Sequence, residues 1–426
     1  MIKNIPGKLK VLSLFSGCGG MDLGFEGRFR VLAKSVNAEI YPEWAVNQVD
    51  GDGWIKLPET VFETVFANDI ARSAKAAWVP YFEKRGRLQS SFHLKSVVDL
   101  VKESKNNKDV FPDADVVTGG FPCQDFSLAG KREGFNSSKA HHGGLLSDSD
   151  NPTEENRGKL YIWMKRVMEI VQPKAFVAEN VKGLVSLSNA KEIIENDFRN
   201  IGSGYVVVDA QVLYAPMYGV PQNRERVFFI GFRKDALRDE ALRELTAKEI
   251  DERYNPYPRQ THGAPKQSSL HKNSLPPYVT VGDYIGDLPE PENSDDPSHR
   301  AYSKTKWYGG YYQARREVDL RGVGPTIRAN HNGNIEFRRL SAEHGGKHLL
   351  ELKEGLKERR LTVRECARIQ TFPDDFEFVR EPSALGEEYR LSMSEGYKLV
   401  GNAVPPLLAF HIAWRLQEIW SLIFKH

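Results

Sequence analysis

Cysteine is scarce, with only Cys18, Cys123 and Cys366 in 426 residues. They are scattered and lack metal-ligand spacing, which argues against a disulfide framework and a zinc site and for a reducing compartment. No metal is expected. Long apolar runs are also missing: none approaches the roughly 20 residues that a membrane span requires. The apolar run at residues 11–15 is too short for a signal peptide. Neither sign of charge dominates, since 59 Lys and Arg stand against 57 Asp and Glu, a net charge of +2. That balance neither demands nor excludes nucleic acid, because a local basic patch acts whatever the total. There is no internal repeat and no low-complexity tail. What is left, 40% hydrophobic and 27% charged, is ordinary globular composition on a chain long enough for one large and one smaller domain. A cytoplasmic protein of enzyme size is expected.

What is present centres on residues 115–127. The apolar and β-branched residues 116–118 predict a buried parallel strand, which breaks at Gly119-Gly120 and presents Cys123 beyond its carboxyl end. Pro122 stiffens the turn just before the thiol. In an open α/β sheet, ligands and catalytic groups gather at that edge. A lone cysteine is otherwise a small core residue, but flanking Gly-Gly-Phe-Pro and the polar residues after it argue against a core position.

Further strands are predicted at residues 11–15, 65–67, 174–178, 205–213 and 227–232, and a helix at 160–170. The first strand leads into the glycine loop Ser16-Gly17-Cys18-Gly19-Gly20, which lets backbone approach a ligand. No phosphate-binding lysine follows, so this is not a P-loop. A carboxylate ending the second strand suits the ribose hydroxyls of a nucleoside. Asp69 fits that place, with a competing register at Ala38-Glu39; the stretch between them reads as an insertion. Glu179 follows another apolar strand, and a carboxylate there needs a partner, catalytic or a salt bridge at the rim. If the last two strands pair antiparallel, Gln222, Arg224 and Arg226 reach the same rim. Residues 131–157 read as a long mobile segment, and His141-His142 as exposed loop residues.

Several of these runs together resemble the C5-cytosine DNA methyltransferase family. They are Leu14-Phe-Ser-Gly-Cys-Gly-Gly-Met-Asp-Leu-Gly-Phe25, Gly120-Phe-Pro-Cys-Gln124 with Ser127, Glu179-Asn-Val181, Gly219-Val-Pro-Gln-Asn-Arg-Glu-Arg-Val227 and Tyr397-Lys-Leu-Val-Gly-Asn-Ala-Val-Pro-Pro406. The resemblance covers nearly the whole chain, with the motifs in the family's usual order. It implies an α/β fold, the Rossmann-like mixed sheet of S-adenosylmethionine-dependent methyltransferases, with a second, smaller target-recognition domain. Residues 1–235 and 384–426 would form the catalytic and cofactor domain, and 236–383 the DNA-binding one.

The resemblance also implies roles. Cys123 is the nucleophile, Glu179 holds N3 of the flipped cytosine, Arg226 contacts O2 and Arg224 orders the Cys123 loop. S-adenosylmethionine would lie against Phe15, Ser16, Gly17, Cys18, Gly19, Gly20, Asp69, Ile70, Val97, Pro122, Leu160, Asn402 and Val404. Ser96 stands where the family carries an aspartate for the adenine amino group. DNA would meet Gln124, Ser127, Asn180, Gln222, Thr326 and Arg328. Arg315, Arg316, Arg321, Arg328, Arg338, Arg339, Lys347, Arg359 and Arg360 make an aromatic-interleaved basic stretch suited to phosphates. The partner is duplex DNA with a specific cytosine-containing target, the enzyme a monomer without membrane attachment, and a restriction endonuclease of the same site its counterpart. Two rivals stand beside this reading, a tRNA cytosine-5 methyltransferase and a catalytically inactive DNA-binding relative.

Overall fold

The structure, a computed structural model, describes residues 7–46, 51–122, 160–187, 189–264, 275–307, 316–329, 335–381 and 389–425. Strand β1 (Leu9–Leu14) turns through the glycine loop into α1 (Gly20–Glu26). A short antiparallel hairpin, β2 (Arg30–Leu32) and β3 (Trp54–Lys56), comes next. Then follow β4 (Phe62–Asp69), α2 (Arg72–Glu83), β5 (Phe92–Leu94) and α3 (Val97–Ser104). The chain continues through β6 (Val116–Gly120), α4 (Leu160–Val171), β7 (Ala175–Val181) and α5 (Ala190–Arg199). The pair β8 (Tyr205–Tyr214) and β9 (Glu225–Arg233) completes one seven-stranded sheet, ordered β5-β4-β1-β6-β7-β9-β8. Ladders from β5 to β7 are parallel, whereas β9 runs antiparallel to both β7 and β8, the pairing expected from sequence.

Successive strand residues serve opposite faces. Val11, Val116, Val177 and Phe228 join a core that includes Leu23, Trp78 and Leu408. Their neighbours Leu12, Val117, Phe176 and Phe229 join another with Val98, Met164 and Ile194. Helices cover both faces, so the strands have no polar side, which is why they read as continuous apolar runs. The chain visits β4 and β5 on one side of β1, then crosses back to β6 on the other. That reversal opens a crevice beyond the carboxyl ends of β1 and β6.

The rest of the chain is less regular. It comprises α6 (Asp239–Leu245), α7 (Val281–Ile285), α8 (Pro297–Arg300), β10 (Phe337–Arg339), α9 (Leu349–Lys353), β11 (Arg359–Arg360) and α10 (Val363–Ile369). Then α11 (Met393–Asn402) and α12 (Pro406–Ile423) return to the sheet, where α12 lies against α1. Helix α10 starts on a capping box, Thr362 with Glu365, and lasts seven residues. Thr371 takes a left-handed backbone, φ 69°, and Phe372, Phe376 and Phe378 then pack on one another as a turn. Tyr284, Ile327 and Phe372 share one apolar core with β1, so packing is continuous across the expected domain boundary.

The basic stretch requires a correction. Arg338, Arg339, Arg359 and Arg360 are buried, so they do not offer their charges to phosphate. Glu290 joins Arg339 at 2.6 Å and Arg359 at 3.1 Å; Glu351 joins Arg338 at 3.0 Å and Arg339 at 2.6 Å. Arg359 also pairs with Glu365 at 2.9 Å. Arg360 caps the ring of Phe337 at 4.0 Å. Arg316, Arg321 and Lys347 remain exposed, and Arg315 lies outside the described residues.

Candidate active site

The crevice at the sheet reversal is a cavity of about 370 Å³, within the ~300–1,000 Å³ typical of small-molecule sites. One wall is the loop after β1. Phe15 holds a left-handed backbone there, φ 53°, which is uncommon outside glycine. Ser16 N–H donates to Asn68 O at 2.8 Å and Asn68 N–H returns to Ser16 Oγ at 3.0 Å, sewing the loop to the end of β4. Asp69 Oδ2 accepts from Gly17 N–H at 3.0 Å and Oδ1 from Ala71 N–H at 2.9 Å. Burial raises the Asp69 carboxyl, against the pull of those backbone donors. Beneath the loop, Asp22 accepts from Ser13 Oγ at 2.5 Å and Trp78 Nε1 at 2.8 Å, and burial lifts its pKa to about 7 despite both donors.

Phe15, Ser16, Gly17, Cys18, Gly20, Asp69, Ile70, Val97, Pro122, Leu160, Asn402 and Val404 all line the cavity; Gly19 sits in the loop behind it. Asp69, not Glu39, occupies the place beside β1. Glu39 lies exposed in the insertion between β2 and β3. Ser96 also lines the cavity while its Oγ caps α3, accepting from Val98 N–H at 3.2 Å. Cys18 is buried, which pushes its thiol pKa up and makes it a packing residue.

The opposite wall carries a buried carboxylate. Parallel pairing sets Glu179 of β7 level with Gly120 of β6, and antiparallel pairing sets Arg226 of β9 beside Val181. Glu179 Oε1 lies 2.8 Å from Arg226 Nε, and both residues line the cavity. Burial raises the Glu179 carboxyl above its ordinary range, and the Arg226 and Arg224 guanidiniums oppose that. A Cβ at Gly120 would lie 3.0 Å from Glu179 Oε2, so a glycine there leaves room for the carboxylate. Cys123, Gln124 and Ser127 lie outside the described residues. Phe121 and Pro122, immediately before them, are on the cavity wall.

The remaining expected contacts are distributed differently. Asn180 is buried, donating from Nδ2 to Phe121 O at 3.1 Å and accepting Val181 N–H at 2.8 Å. It braces the turn before Cys123 and does not face outward. Gln222 is wholly buried, and both ends of its amide are used internally, so it presents nothing to DNA in this arrangement. Arg224 is buried as well. Nη1 donates to Ile327 O at 3.2 Å and Nη2 to Gly401 O and Ala403 O at 3.1 and 2.7 Å. Its described bonds therefore order the strap at Ile327 and the turn after α11. Thr326 Oγ1 donates to Asn223 O, and Arg328 pairs with the buried Glu336 at 3.4 Å. Arg328 keeps partial exposure beside the cleft. Asn68 and Lys398 are among the lining residues that went unassigned in the sequence. Asn68 adjoins Asp69. Lys398 lies in the motif at residues 397–406, and its charge draws the Asp69 carboxyl down. Among the described residues no group of His, Cys, Asp and Glu could hold a metal ion, and no helix is long and apolar enough to cross a membrane.

A mostly parallel sheet with an antiparallel hairpin at one edge and a glycine loop at its reversal defines the class, the S-adenosylmethionine-dependent methyltransferase fold. The chain belongs to the C-5 cytosine-specific DNA methylase family, which matches residues 9–418, and it is a DNA cytosine methyltransferase. It is 35% identical to Type II methyltransferase M.BspRI of Lysinibacillus sphaericus over 95% of this chain and 81% of that one. It is 32% identical to Type II methyltransferase M.BsuRI of Bacillus subtilis over 95% and 78%. Among solved structures, the Dnmt2 methyltransferase of S. pombe shares the fold, with TM-score 0.53 at 17% identity over 96% of this chain and 98% of that one.

Proposed function

We propose that the protein is the modification enzyme of a Type II restriction–modification pair, acting in the bacterial cytoplasm on one cytosine of a specific duplex sequence. The reading rests above all on Glu179, a buried carboxylate held at 2.8 Å by Arg226 in the cavity whose wall also carries Phe121 and Pro122. S-adenosylmethionine, when bound, supplies an electrophilic methyl group on sulfur. The cavity suits it: Phe15, Ile70, Val97 and Leu160 offer apolar surface to a purine, and each oxygen of Asp69 keeps a lone pair for a ribose hydroxyl. Residues 236–383 would form the recognition domain, with the duplex in the cleft beside them and the enzyme a monomer.

C5 of cytosine is a poor nucleophile, so the ring needs activation. The Cys123 thiolate adds to C6, making a new carbon–sulfur bond and pushing the ring electrons to C5. Glu179 hydrogen-bonds N3 and the exocyclic amine and stabilises the charge that develops there. Arg226 contacts O2. After C5 has taken the methyl group, its proton leaves, the carbon–sulfur bond breaks and the thiolate is restored. None of these atoms is accessible inside a duplex, so the cytosine must be flipped out, and Gln124 and the segment after it are the candidates to fill the gap.

The test is mechanism-based trapping. Duplex made with 5-fluorocytosine in place of cytosine, incubated with S-adenosylmethionine, is expected to give a denaturation-stable complex with wild-type protein and none with Cys123→Ser. A trapped or active serine variant would overturn the assignment of the nucleophile. Methyl transfer to tRNA but not to plasmid DNA would favour the tRNA reading, and no transfer to either would favour the inactive relative.

A further inference from the structure

Two buried amides join the segment at residues 326–328 to the rim of the cofactor cavity. Gln222 Oε1 accepts from Ile327 N–H at 2.9 Å, and its Nε2 donates to Gln370 Oε1 at 3.0 Å. Gln370 Nε2 donates onward to Val400 O at 2.7 Å. The other half of the Ile327 peptide is held in parallel: its carbonyl accepts from Arg224, which also donates to the carbonyls of Gly401 and Ala403. Gly401, Asn402 and Ala403 line the cavity. The two segments also touch directly. A Cβ on Gly401 would lie 2.2 Å from the carbonyl carbon of Arg328, so only glycine lets the backbones meet.

Residues 326 and 328 flank a peptide whose donor and acceptor are both tied, through one side chain or two, to carbonyls of the turn over the cofactor. Such contacts are discrete: Ile327 cannot slide along the strap without breaking the bonds to Gln222 and Arg224 or moving the rim with it. We propose that Gln222 and Gln370 are positioning residues through which a duplex seated on residues 326–328 tightens the cofactor cavity. Coupling of this kind is reciprocal, so an occupied cavity also tightens the hold on DNA. The proposal rests on the reading of the cavity as the S-adenosylmethionine site and of residues 326–328 as DNA-facing.

The experiment uses the full chain and S-adenosylhomocysteine, which has no methyl group to donate. Its Kd is measured by equilibrium dialysis alone, with unmethylated plasmid DNA, and with a poly(dA)·poly(dT) duplex that contains no cytosine. Plasmid DNA is expected to tighten wild-type binding by about fivefold or more, within the usual range of site–site coupling, and the cytosine-free duplex to leave it unchanged. Gln222→Met cuts the relay at Ile327 and Gln370→Met cuts it at the rim. Each is expected to bind S-adenosylhomocysteine alone within about twofold of wild type while losing the tightening by DNA. A purely structural role would instead weaken binding with and without DNA alike. Either variant suffices if the other melts before assay temperature. Tightening that survives in the variants, that is absent from wild type, or that the cytosine-free duplex matches would overturn the proposal alone. No binding of S-adenosylhomocysteine to wild type would overturn the cofactor reading with it.

Discussion

At the level of single residues, the site turns on where one carboxylate sits. Glu179 is raised by burial against the pull of Arg226, which also holds it in place, and Gly120 leaves it room. Removing the group and displacing it should therefore differ. Glu179→Gln keeps the shape but loses the charge and the acidic proton, and is expected to lower kcat by about 10²–10⁴. Gly120→Ala forces Oε2 away by a few tenths of an ångström, and a loss of about tenfold is expected from misplacement alone. Single-turnover rates with saturating cofactor compare the two. A Gly120→Ala loss as large as that of Glu179→Gln would mean that the added methyl blocks cofactor or base, not that it moves the carboxylate.

Among the elements, β10, β11, α9 and α10 are held together by buried arginines that share carboxylates. Burial alone would raise Glu290, but hydrogen bonds from Arg339 and Arg359 outweigh it and hold its pKa at about 2, against an ordinary 4.5. The folded value is depressed, so this stabilisation is complete above pH 4.5 and is lost as pH falls toward 2. Glu290→Gln leaves two guanidiniums short of a counter-ion and is expected to cost about 2–3 kcal/mol, below the full penalty of a broken buried pair because Glu290 keeps some solvent. Urea unfolding checks the loss. The salt dependence of DNA binding should not change, whereas Arg316→Ala should reduce it. Legibility follows the same division. Strands of the main sheet show in sequence because burial on both faces leaves apolar runs, and the Glu179 and Arg226 motifs lie within a few residues of those strands. The arginines of β10 and β11 mislead because their partners are remote: Glu290 lies 69 residues from Arg359. Gln222 misleads similarly, since an amide beside two arginines reads as solvent-facing until Ile327 and Gln370 close over it. The three-residue strands β2 and β3 are too short to show a period.

Across the whole molecule, the insertion between β2 and β3 acts as a brace. Ser35 Oγ donates to Gly219 O at 2.8 Å, Asn37 Nδ2 to Thr261 O at 3.1 Å, and Lys34 pairs with Asp283 at 2.6 Å. Tyr41 and Trp44 stack at 4.1 Å and seat on α12, where the Trp44 ring lies 4.7 Å from that of His411. Burial, and after it the neighbouring His262, lowers the His411 pKa from 6.5 to about 3. The folded protein thus refuses a proton that the unfolded chain accepts, so stability falls as pH drops through 6.5 toward 3. By about pH 5 the loss from this residue is on the order of 1–2 kcal/mol. His411→Phe is expected to flatten the melting temperature over that window; an unchanged slope would place the proton uptake elsewhere. The cavity itself has a consequence in time. Its walls run from Ser13 to Val404, so on the ribosome the loop after β1 is made first and waits for its far side until residues 236–383 have emerged. A nascent chain stopped anywhere before α11 lacks the turn at residues 401–404, and the stabilisation that ligand binding adds reaches the cavity only after that turn has been made.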